Sequence, residues 1–397
     1  MPVPLHFITA VWGEAYTRLF LNVVLPNNLS AGNLGSCRGR AGTRYRVFTT
    51  AADARQITAS PAWQRAGELA QAEICEIAES SQLAHHTRMT MCHRHAVADA
   101  AREDAALVFL APDAIWSDGT FAHVARQVDQ GWHGVLVAGL RVKRDVFTPV
   151  LKERFSTMDG TIAIPSRELV ALAMQHLHPL TRDQIITSAR FMRGTPTIHW
   201  PAGQDGLLLR GFHLHPLMLR PTRHDARIDT TVDGEFIGRA VPNPALLTIE
   251  TDSDTVCCCD LTDSASMLNY LVMTTGNRVK EVALWAFSNA DAHHWRFVRQ
   301  KIRFHAGELG PEWTAAEAES DRFINEVLAT AKSPHFYLQQ RLLLLRKRWW
   351  VAHMLAHPRH FARSVLSRWT KGQGATPDPQ HHDSCPICHC MVCGHRE

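Results

Sequence analysis

Apolar and polar residues alternate along the first 145 positions in blocks that have the lengths of strands and helices. Buried strands are predicted for the short apolar runs at 5–10, 45–50, 106–110 and 134–140. Between these runs, apolar residues recur at helical spacing, most clearly over 91–102 and 121–130. Strands that alternate with helices predict a mainly parallel sheet flanked by helices, which places the chain in the α/β class.

The pattern changes in the second half of the chain. Short apolar runs broken by Gly, Pro and Asp over 193–250 predict loops and short or antiparallel strands. Residues 314–369 have helical spacing, and 371–380 (KGQGATPDPQ) has the composition of a linker. We therefore expect three parts, namely an α/β domain over 1–310, a helical C-terminal extension over 311–370, and a flexible linker with a Cys/His-rich tail over 371–397.

Composition and charge narrow the class of protein. The net charge of +4 is too small to argue for a nucleic-acid partner, and no segment has the long uncharged apolar run of a membrane span. The N-terminus lacks the pattern of a signal peptide, and ten cysteines in such a chain favour reduced thiols and a cytoplasmic location. The absence of G-x-G-x-x-G and G-x-x-x-x-G-K-[ST] argues against a dinucleotide-dependent dehydrogenase and a P-loop NTPase.

The apolar run at 106–110 ends in an acid, Asp113, and a second acid, Asp118, follows closely. An acid just past the carboxyl end of a strand lies where α/β proteins bind their ligands. Without a Gly-rich loop, such a sheet can neutralise a diphosphate through Mg²⁺ or Mn²⁺ held by carboxylates. Asp113 is thus a candidate metal ligand or an ordinary strand exit, and Asp118 either assists the metal or caps the next helix.

Histidines form a second candidate group. His213 and His215 alternate, so on a strand they share one face, where two imidazoles can bind a metal or a phosphate. The alternative is a pair of partly exposed histidines in a chain that has 24 of them.

Acids cluster again in the middle of the chain. Asp233 and Glu235 lie in a Gly-containing turn and are candidates for a catalytic general base, because clustered carboxylates raise one another's pKa. A solvated turn is the alternative. Asp252 and Asp254 follow another apolar run and form a rival location for the metal.

Two features of the C-terminal part suggest other partners. The tail carries two C-x-x-C pairs that either bind Zn²⁺ or belong to a disordered segment, namely Cys385, Cys388, Cys390 and Cys393. The segment 341–350 (RLLLLRKRWW) predicts a basic, Trp-rich helix that either lies on an anionic membrane surface or packs on the core through its leucines.

Residues 5–145 resemble bacterial nucleotide-sugar glycosyltransferases with the GT-A fold. The likeness rests on HFITAVWGEAYTRLFLNVVLPNNLSAGNL, YRVFTTAAD and LVFLAPDAIWSDG. It implies that Thr9, Ala10 and Trp12 lie near the nucleotide and that Asp113 is the metal-binding acid. It also implies that His213 or His215 adds to the metal or diphosphate site. The family normally has two acids one residue apart, whereas Ala111 stands at the first of these positions.

The leading hypothesis is therefore a glycosyltransferase that moves a sugar from a nucleotide-diphosphate donor, with a metal held by Asp113. A glycan or a lipid-linked molecule would be the acceptor. A bacterial, cytoplasmic enzyme is expected, with peripheral contact to the inner face of the membrane as an option. The alternative is a non-catalytic GT-A-like binding or assembly module with a membrane-apposed helix and a metal-binding tail. Donor sugar, acceptor, stereochemical course and oligomeric state are not determined by the sequence.

Overall fold

The strands form where the apolar runs lie. A computed structural model of the chain describes residues 2–78, 85–189, 191–192, 194–223, 226–229, 231–265, 273–274, 276–336, 338–339 and 342. Its strands in chain order are β1 (Leu5–Ala10), β2 (Arg44–Thr49), β3 (Gln71–Glu76), β4 (Ala106–Leu110), β5 (Ala114–Trp116), β6 (Gly134–Val137), β7 (Leu140–Lys143), β8 (Phe191–Met192), β9 (Thr197–Pro201), β10 (Gly206–Gly211), β11 (His215–Leu219), β12 (Leu247–Ile249), β13 (Cys258–Thr262), β14 (Met273–Thr274) and β15 (Ile302–His305).

Two successive helices begin at hydroxyl caps, where Thr50 and Ser60 accept hydrogen bonds from the backbone of the first turn. In chain order the helices are α1 (Glu14–Leu19), α2 (Leu25–Asn28), α3 (Ala51–Thr58), α4 (Pro61–Leu69), α5 (His85–Glu103), α6 (Thr120–Asp129), α7 (Arg144–Phe155), α8 (Ser166–Gln175), α9 (Pro179–Asp183), α10 (Phe236–Ala240), α11 (Arg278–Asn289), α12 (Ala292–Phe297) and α13 (Pro311–Lys332).

The main sheet has seven strands in the order β12-β6-β11-β4-β1-β2-β3. Its strands are parallel, except that β11 runs antiparallel to both β4 and β6. Every residue of β1 and β4 is buried, as expected for central strands of a sheet with both faces covered. The predicted α/β class, with a mainly parallel sheet flanked by helices, is confirmed.

The order of the main sheet reverses between β1 and β4. From β1 the chain continues to β2 and β3 on one side, whereas β4 pairs with the opposite edge of β1. Ligands of open α/β sheets bind at such a reversal, outside the carboxyl ends of the two strands. The register pairs Thr9 with Leu110, so the segments after β1 and β4 leave the sheet side by side.

One predicted strand is divided between two sheets. The apolar run at 134–140 contains β6, which ends at Val137, and the first residue of β7, which belongs to a three-stranded sheet β5-β13-β7. The expectation of a single strand was wrong because β7 pairs with β13, a strand more than a hundred positions later. Apolar content alone does not reveal where a strand changes its partner.

The segment 26–35 contains helical structure, although its Pro, Asn and Gly residues are typical of a loop. It holds the end of α2 and a 3₁₀-helix, Leu34–Cys37. Asn27 is fully buried, and its side chain bonds the backbone of Trp116 and Ile162 at 2.8–3.1 Å. Residues that usually indicate a turn here satisfy polar backbone atoms inside the core.

A second apolar cluster lies around the antiparallel sheet β15-β10-β9, with α11 and α13 packed against each other. The expected short antiparallel strands over 193–250 are present as β9, β10 and β11, although β12 joins the main sheet in parallel. The predicted helical extension begins with α13. Most of the 341–350 segment and all of 351–397 lie outside the described residues. Among those described, none of the helices combines the length and the apolar character needed to cross a membrane.

Candidate functional site

Asp113 lies just past the carboxyl end of β4, where the order of the sheet reverses. Its side chain is partly buried. Burial and the negative charge of Asp260 raise the pKa of Asp113 to about 6, against the opposing charges of Arg141 and Arg144. A carboxylate whose negative charge is only partly balanced by its neighbours can attract a cation or hold a proton near neutral pH.

Asp260 is brought close to Asp113 by the three-stranded sheet β5-β13-β7. On β13 it pairs with Ala114 on one side and with Arg141 on the other. The guanidinium Nη2 of Arg141 lies 3.9 Å from its carboxylate, and Arg144 donates to Asp263 at 2.7 Å. None of these four charged residues was predicted from the sequence. A single acid inside the otherwise apolar run 256–261 was the available signal for Asp260.

The segment after β1 is fastened by Asp53. Its carboxylate accepts hydrogen bonds from the Gly13 amide at 2.9 Å and from the Thr17 hydroxyl at 3.0 Å. Tyr16 lies on the same turn, and burial followed by the charge of Asp113 raises its pKa. Asp53 thus fixes the start of α1, the helix that carries Tyr16, close to Asp113.

Of the residues predicted to lie near a nucleotide, Thr9 and Ala10 are buried in β1. Trp12 is partly buried, and its Nε1–H donates to Nδ1 of His85 at 3.1 Å, so the two rings lie side by side with centroids 6.1 Å apart and planes inclined by 4°. The guanidinium of Arg88 lies 5.4 Å from the centre of the Trp12 ring. The group around Trp12 therefore offers flat and cationic surfaces near the end of β1, as bases and phosphates require.

His213 and His215 do not form one group. The strand β11 begins at His215, whose Nε2 lies 2.8 Å from the Phe109 carbonyl oxygen on β4. His213 precedes the strand, and its ring centroid lies 4.4 Å from that of His294. The expectation that both lie on one strand face was wrong because the chain turns between β10 and β11.

Asp233 and Glu235 also have different surroundings. Glu235 is exposed and forms an ion pair with Arg239, which also binds Asp229. The charge of Asp233 acts on His93, whose pKa burial and the charge of His215 lower to about 4. It likewise opposes the burial that lowers the pKa of His213. Of the two acids, Asp233 is the one that faces histidines.

Asp118 fastens a loop. It accepts hydrogen bonds from the Ser30 hydroxyl at 2.7 Å and from the Gly32 amide at 2.9 Å. The N-cap of α6 is Gly119, with φ of 96°, so the expectation that Asp118 caps this helix was wrong. Its contribution to a metal stays a prediction.

Asp252 and Asp254 meet a histidine that the sequence analysis missed. Together with His305 they present ligand atoms within 4.8 Å of one another. His305 is 51–53 positions away and arrives through β15, so no local spacing could have indicated it.

A cavity of about 490 Å³ lies elsewhere and is bordered by the ion pair between Arg65 and Asp159. Among the described residues, its lining does not include Asp113 or the charged neighbours of Asp113. The four tail cysteines predicted to bind zinc, and most of the basic helical segment, lie outside the described residues.

Fold and site together define a mainly parallel α/β protein with a charged group at the reversal of strand order. No family model and no curated protein matches the chain. Structurally it is similar to a 1–349 fragment of S. aureus TarS, with a TM-score of 0.26, 9% identity, and coverage of 35% of this chain and 36% of that one.

Two further solved structures overlap more of the chain. S. aureus TarS gives a TM-score of 0.32 at 10% identity, over 84% of this chain and 44% of that one. Mannosyltransferase PcManGT from Pyrobaculum calidifontis, solved in complex with GDP-Man and Mn²⁺, gives 0.30 at 12% identity, over 93% of this chain and 88% of that one. The chain thus spans less than half of the length of either TarS structure.

Proposed function

We propose that this protein is a glycosyltransferase whose nucleotide-sugar donor binds between the carboxyl ends of β1 and β4. The observation that carries the proposal is the position of Asp113 at the reversal of strand order, partly buried beside a second acid. The resemblance of residues 5–145 to GT-A glycosyltransferases supports it, because in that family this strand exit supplies the metal-binding acid.

The donor set fits a divalent metal. Asp113 and Asp260 offer carboxylate oxygens, the ligands that Mg²⁺ and Mn²⁺ prefer, and a cation would offset the burial and the repulsion by Asp260 that raise the pKa of Asp113. In the proposed enzyme Asp113 and Asp260 hold the metal, with Asp260 in place of the acid missing at Ala111. When bound, the metal offsets the negative charge on the leaving diphosphate.

Arginines would assist the same step. Arg141 and Arg144 lie on β7 and at the start of α7, and their side chains are 39% and 29% exposed. Guanidinium groups bind phosphate oxygens with two parallel hydrogen bonds. We assign them to the diphosphate of the donor, where they stabilise negative charge as the bond to the sugar breaks.

Asp233 is the proposed general base in an inverting reaction, in which it removes the proton of the acceptor hydroxyl. Glu235 is disfavoured because Arg239 holds its carboxylate in an ion pair. Proton removal by a positioned carboxylate typically contributes about 10²- to 10⁴-fold to the rate.

A thermal-shift screen of nucleotide sugars with and without Mn²⁺ tests the proposal, followed by transfer and donor-hydrolysis assays. We expect metal-dependent stabilisation by one nucleotide class, and its loss together with the activity in Asp113→Ala. Asp129→Ala is the control, since Asp129 is an acid on α6 that pairs with Arg40.

Two results would contradict the proposal. Full activity in Asp113→Ala would remove the assigned role of this acid. If none of the nucleotide sugars shifts the melting temperature of the wild type, the result would favour a binding or assembly module.

A further inference from the structure

A group of one histidine and two acids lies where the main sheet meets the small antiparallel sheet. Asp252 and Asp254 follow β12, the edge strand of the main sheet, and His305 ends β15. Backbone hydrogen bonds fix the junction, from Arg303 to the Thr251 carbonyl at 2.8 Å and from Ser253 to the Arg303 carbonyl at 2.9 Å. The three side chains are thus brought together by strand pairing and not by a local loop.

The side chain of His305 is only 4% exposed, and the hydrogen bonds of its ring define its orientation. Its Nδ1 lies 2.7 Å from the Gly307 carbonyl oxygen, which can only accept, so Nδ1 carries the hydrogen. In the neutral ring Nε2 then carries a lone pair, and this points at the Asp252 carboxylate oxygen 2.9 Å away. Two acceptors at that distance require a positive charge between them, either a metal ion or a proton.

The surroundings of the three side chains are those of a metal site. Metal-binding histidines usually donate their other ring N–H to a carbonyl, as His305 does, and metal-binding carboxylates are themselves hydrogen-bonded. Arg167 donates to both oxygens of Asp254 at 2.8–3.2 Å and to Glu308 at 2.7 Å.

The charge balance also favours a divalent cation. The carboxylates of Asp254 and Glu308 share the single guanidinium of Arg167, and the Asp252 carboxylate lies 2.9 Å from Nε2 of His305. When the three acids and Arg167 are ionised and His305 is neutral, the group carries two negative charges. Arg303 does not compensate them, because it is paired with Glu317 at 2.6 Å.

We propose that Asp252, Asp254 and His305 bind one Zn²⁺ ion that links β12 of the main sheet to β15 of the antiparallel sheet β15-β10-β9. An imidazole with carboxylates suits Zn²⁺, whereas Mg²⁺ prefers oxygen ligands alone. The site is structural and separate from Asp113, and it does not depend on the proposed glycosyl transfer. The metal stabilises the junction between the two sheets because the separated ligands of the unfolded chain bind it weakly.

The test measures zinc in the whole chain of 397 residues. The tail thiols are removed by replacing Cys385, Cys388, Cys390 and Cys393 with Ser, and the protein is stripped with a chelator and then titrated with Zn²⁺. We expect one equivalent to bind, with a rise in the melting temperature. His305→Gln and Asp252→Asn lose this equivalent, whereas His335→Gln, a change at an exposed histidine, keeps it.

Further variants keep the test decisive. Arg167→Met retains all three ligands and should weaken binding by about 10- to 100-fold. If His305→Gln fails to fold, Co²⁺ replaces Zn²⁺ in the parent that lacks the four tail cysteines, and its visible spectrum must show nitrogen and oxygen ligands without thiolate. No bound metal in the parent, or an equivalent retained in folded His305→Gln, would overturn the proposal. The first of these results would leave a proton between His305 and Asp252.

Discussion

Asp260 and Arg141 face each other across neighbouring strands, with a carboxylate oxygen 3.9 Å from a guanidinium nitrogen. On its other side Asp260 pairs with Ala114, the residue that follows Asp113. Strand pairing thus brings a second acid and a compensating arginine to the end of β4. The electrostatics of Asp113 therefore depend on three chain segments that meet only in the folded protein.

The stability of the wild type should fall as the pH rises from about 4 to about 6, through the ionisation of Asp113. The folded-state pKa of about 6 exceeds the ordinary value of 3.8, so the folded protein binds the proton more tightly than the unfolded chain does. Asp113→Asn carries no charge and should be more stable than the wild type at about pH 7.5, by about 1–3 kcal/mol. Denaturant unfolding at both ends of this range measures the difference.

The difference between Asp113→Asn and the wild type should shrink as the pH falls from about 6 to about 4 and vanish below about pH 3, where the wild-type carboxyl is protonated in both states. Asp260→Asn is the matched variant, because it removes the charge that raises the pKa of Asp113. It should reduce the decline with pH. A constant stability difference between Asp113→Asn and the wild type at all pH values would contradict the argument.

The contact between Asp118 and Gly32 can be tested separately from the predicted role of Asp118 as a metal ligand. A Cβ on Gly32 would lie 2.5 Å from the Gly119 nitrogen and 2.8 Å from Cγ of Asp118, so Gly32→Ala should cost about 1–3 kcal/mol of unfolding free energy. Gly67→Ala is the control. Gly67 lies on α4 with open space at its Cβ position, and this change should stabilise the protein by about 0.5–1 kcal/mol.

Asp118→Asn then separates the two roles. Asparagine keeps an oxygen that accepts hydrogen bonds from Ser30 and Gly32, so stability should change little if Asp118 only fastens the loop. A large loss of Mn²⁺ binding at unchanged stability would instead make Asp118 a metal ligand.

Asp233→Asn should lower kcat by about 10²- to 10⁴-fold with little change in KM, because a general base acts mainly in the transition state. Glu235→Gln should change kcat by much less, since the Glu235 carboxylate is already engaged by Arg239. Steady-state kinetics with the donor identified in the screen compare the two variants. Equal losses, or a larger loss in Glu235→Gln, would reassign the base.

Asp99→Ala should destabilise the protein by about 1.5–3 kcal/mol, because it removes the closest partner of the buried Arg46 and leaves Glu73 at 3.1 Å. Arg46 is 5% exposed and donates to Asp99 at 2.7 Å. Arg102→Ala is the control. Arg102 also pairs with Asp99, but its side chain is 73% exposed and its loss should cost less than about 1 kcal/mol.

The same pair predicts a loss of stability in acid. Burial alone would raise the pKa of Asp99, but the hydrogen bond from Arg46 and its charge bring it below the ordinary value. The stabilisation is complete above the unfolded pKa and is lost as the pH falls through the lower folded pKa. In unfolding experiments below about pH 4, Asp99→Ala should therefore approach the wild type.

Local patterns determined the class of the fold and the position of one acid. The apolar runs of β1 and β4 are continuous because both faces of these strands are buried, and the run of β4 ends at Pro112. A strand that is buried on both faces needs apolar residues at consecutive positions. The sequence alone therefore located Asp113 at a strand exit and predicted a mainly parallel sheet.

The partners of that acid were decided only by the tertiary structure. Asp260 reaches Asp113 through the pairing of β5 with β13, and His305 reaches Asp252 through the pairing of β15 with the segment after β12. Neither pairing follows from local periodicity, because sheet order and register depend on how distant segments pack against a common core. The same dependence explains why His213 and His215, two positions apart, contact different parts of the protein.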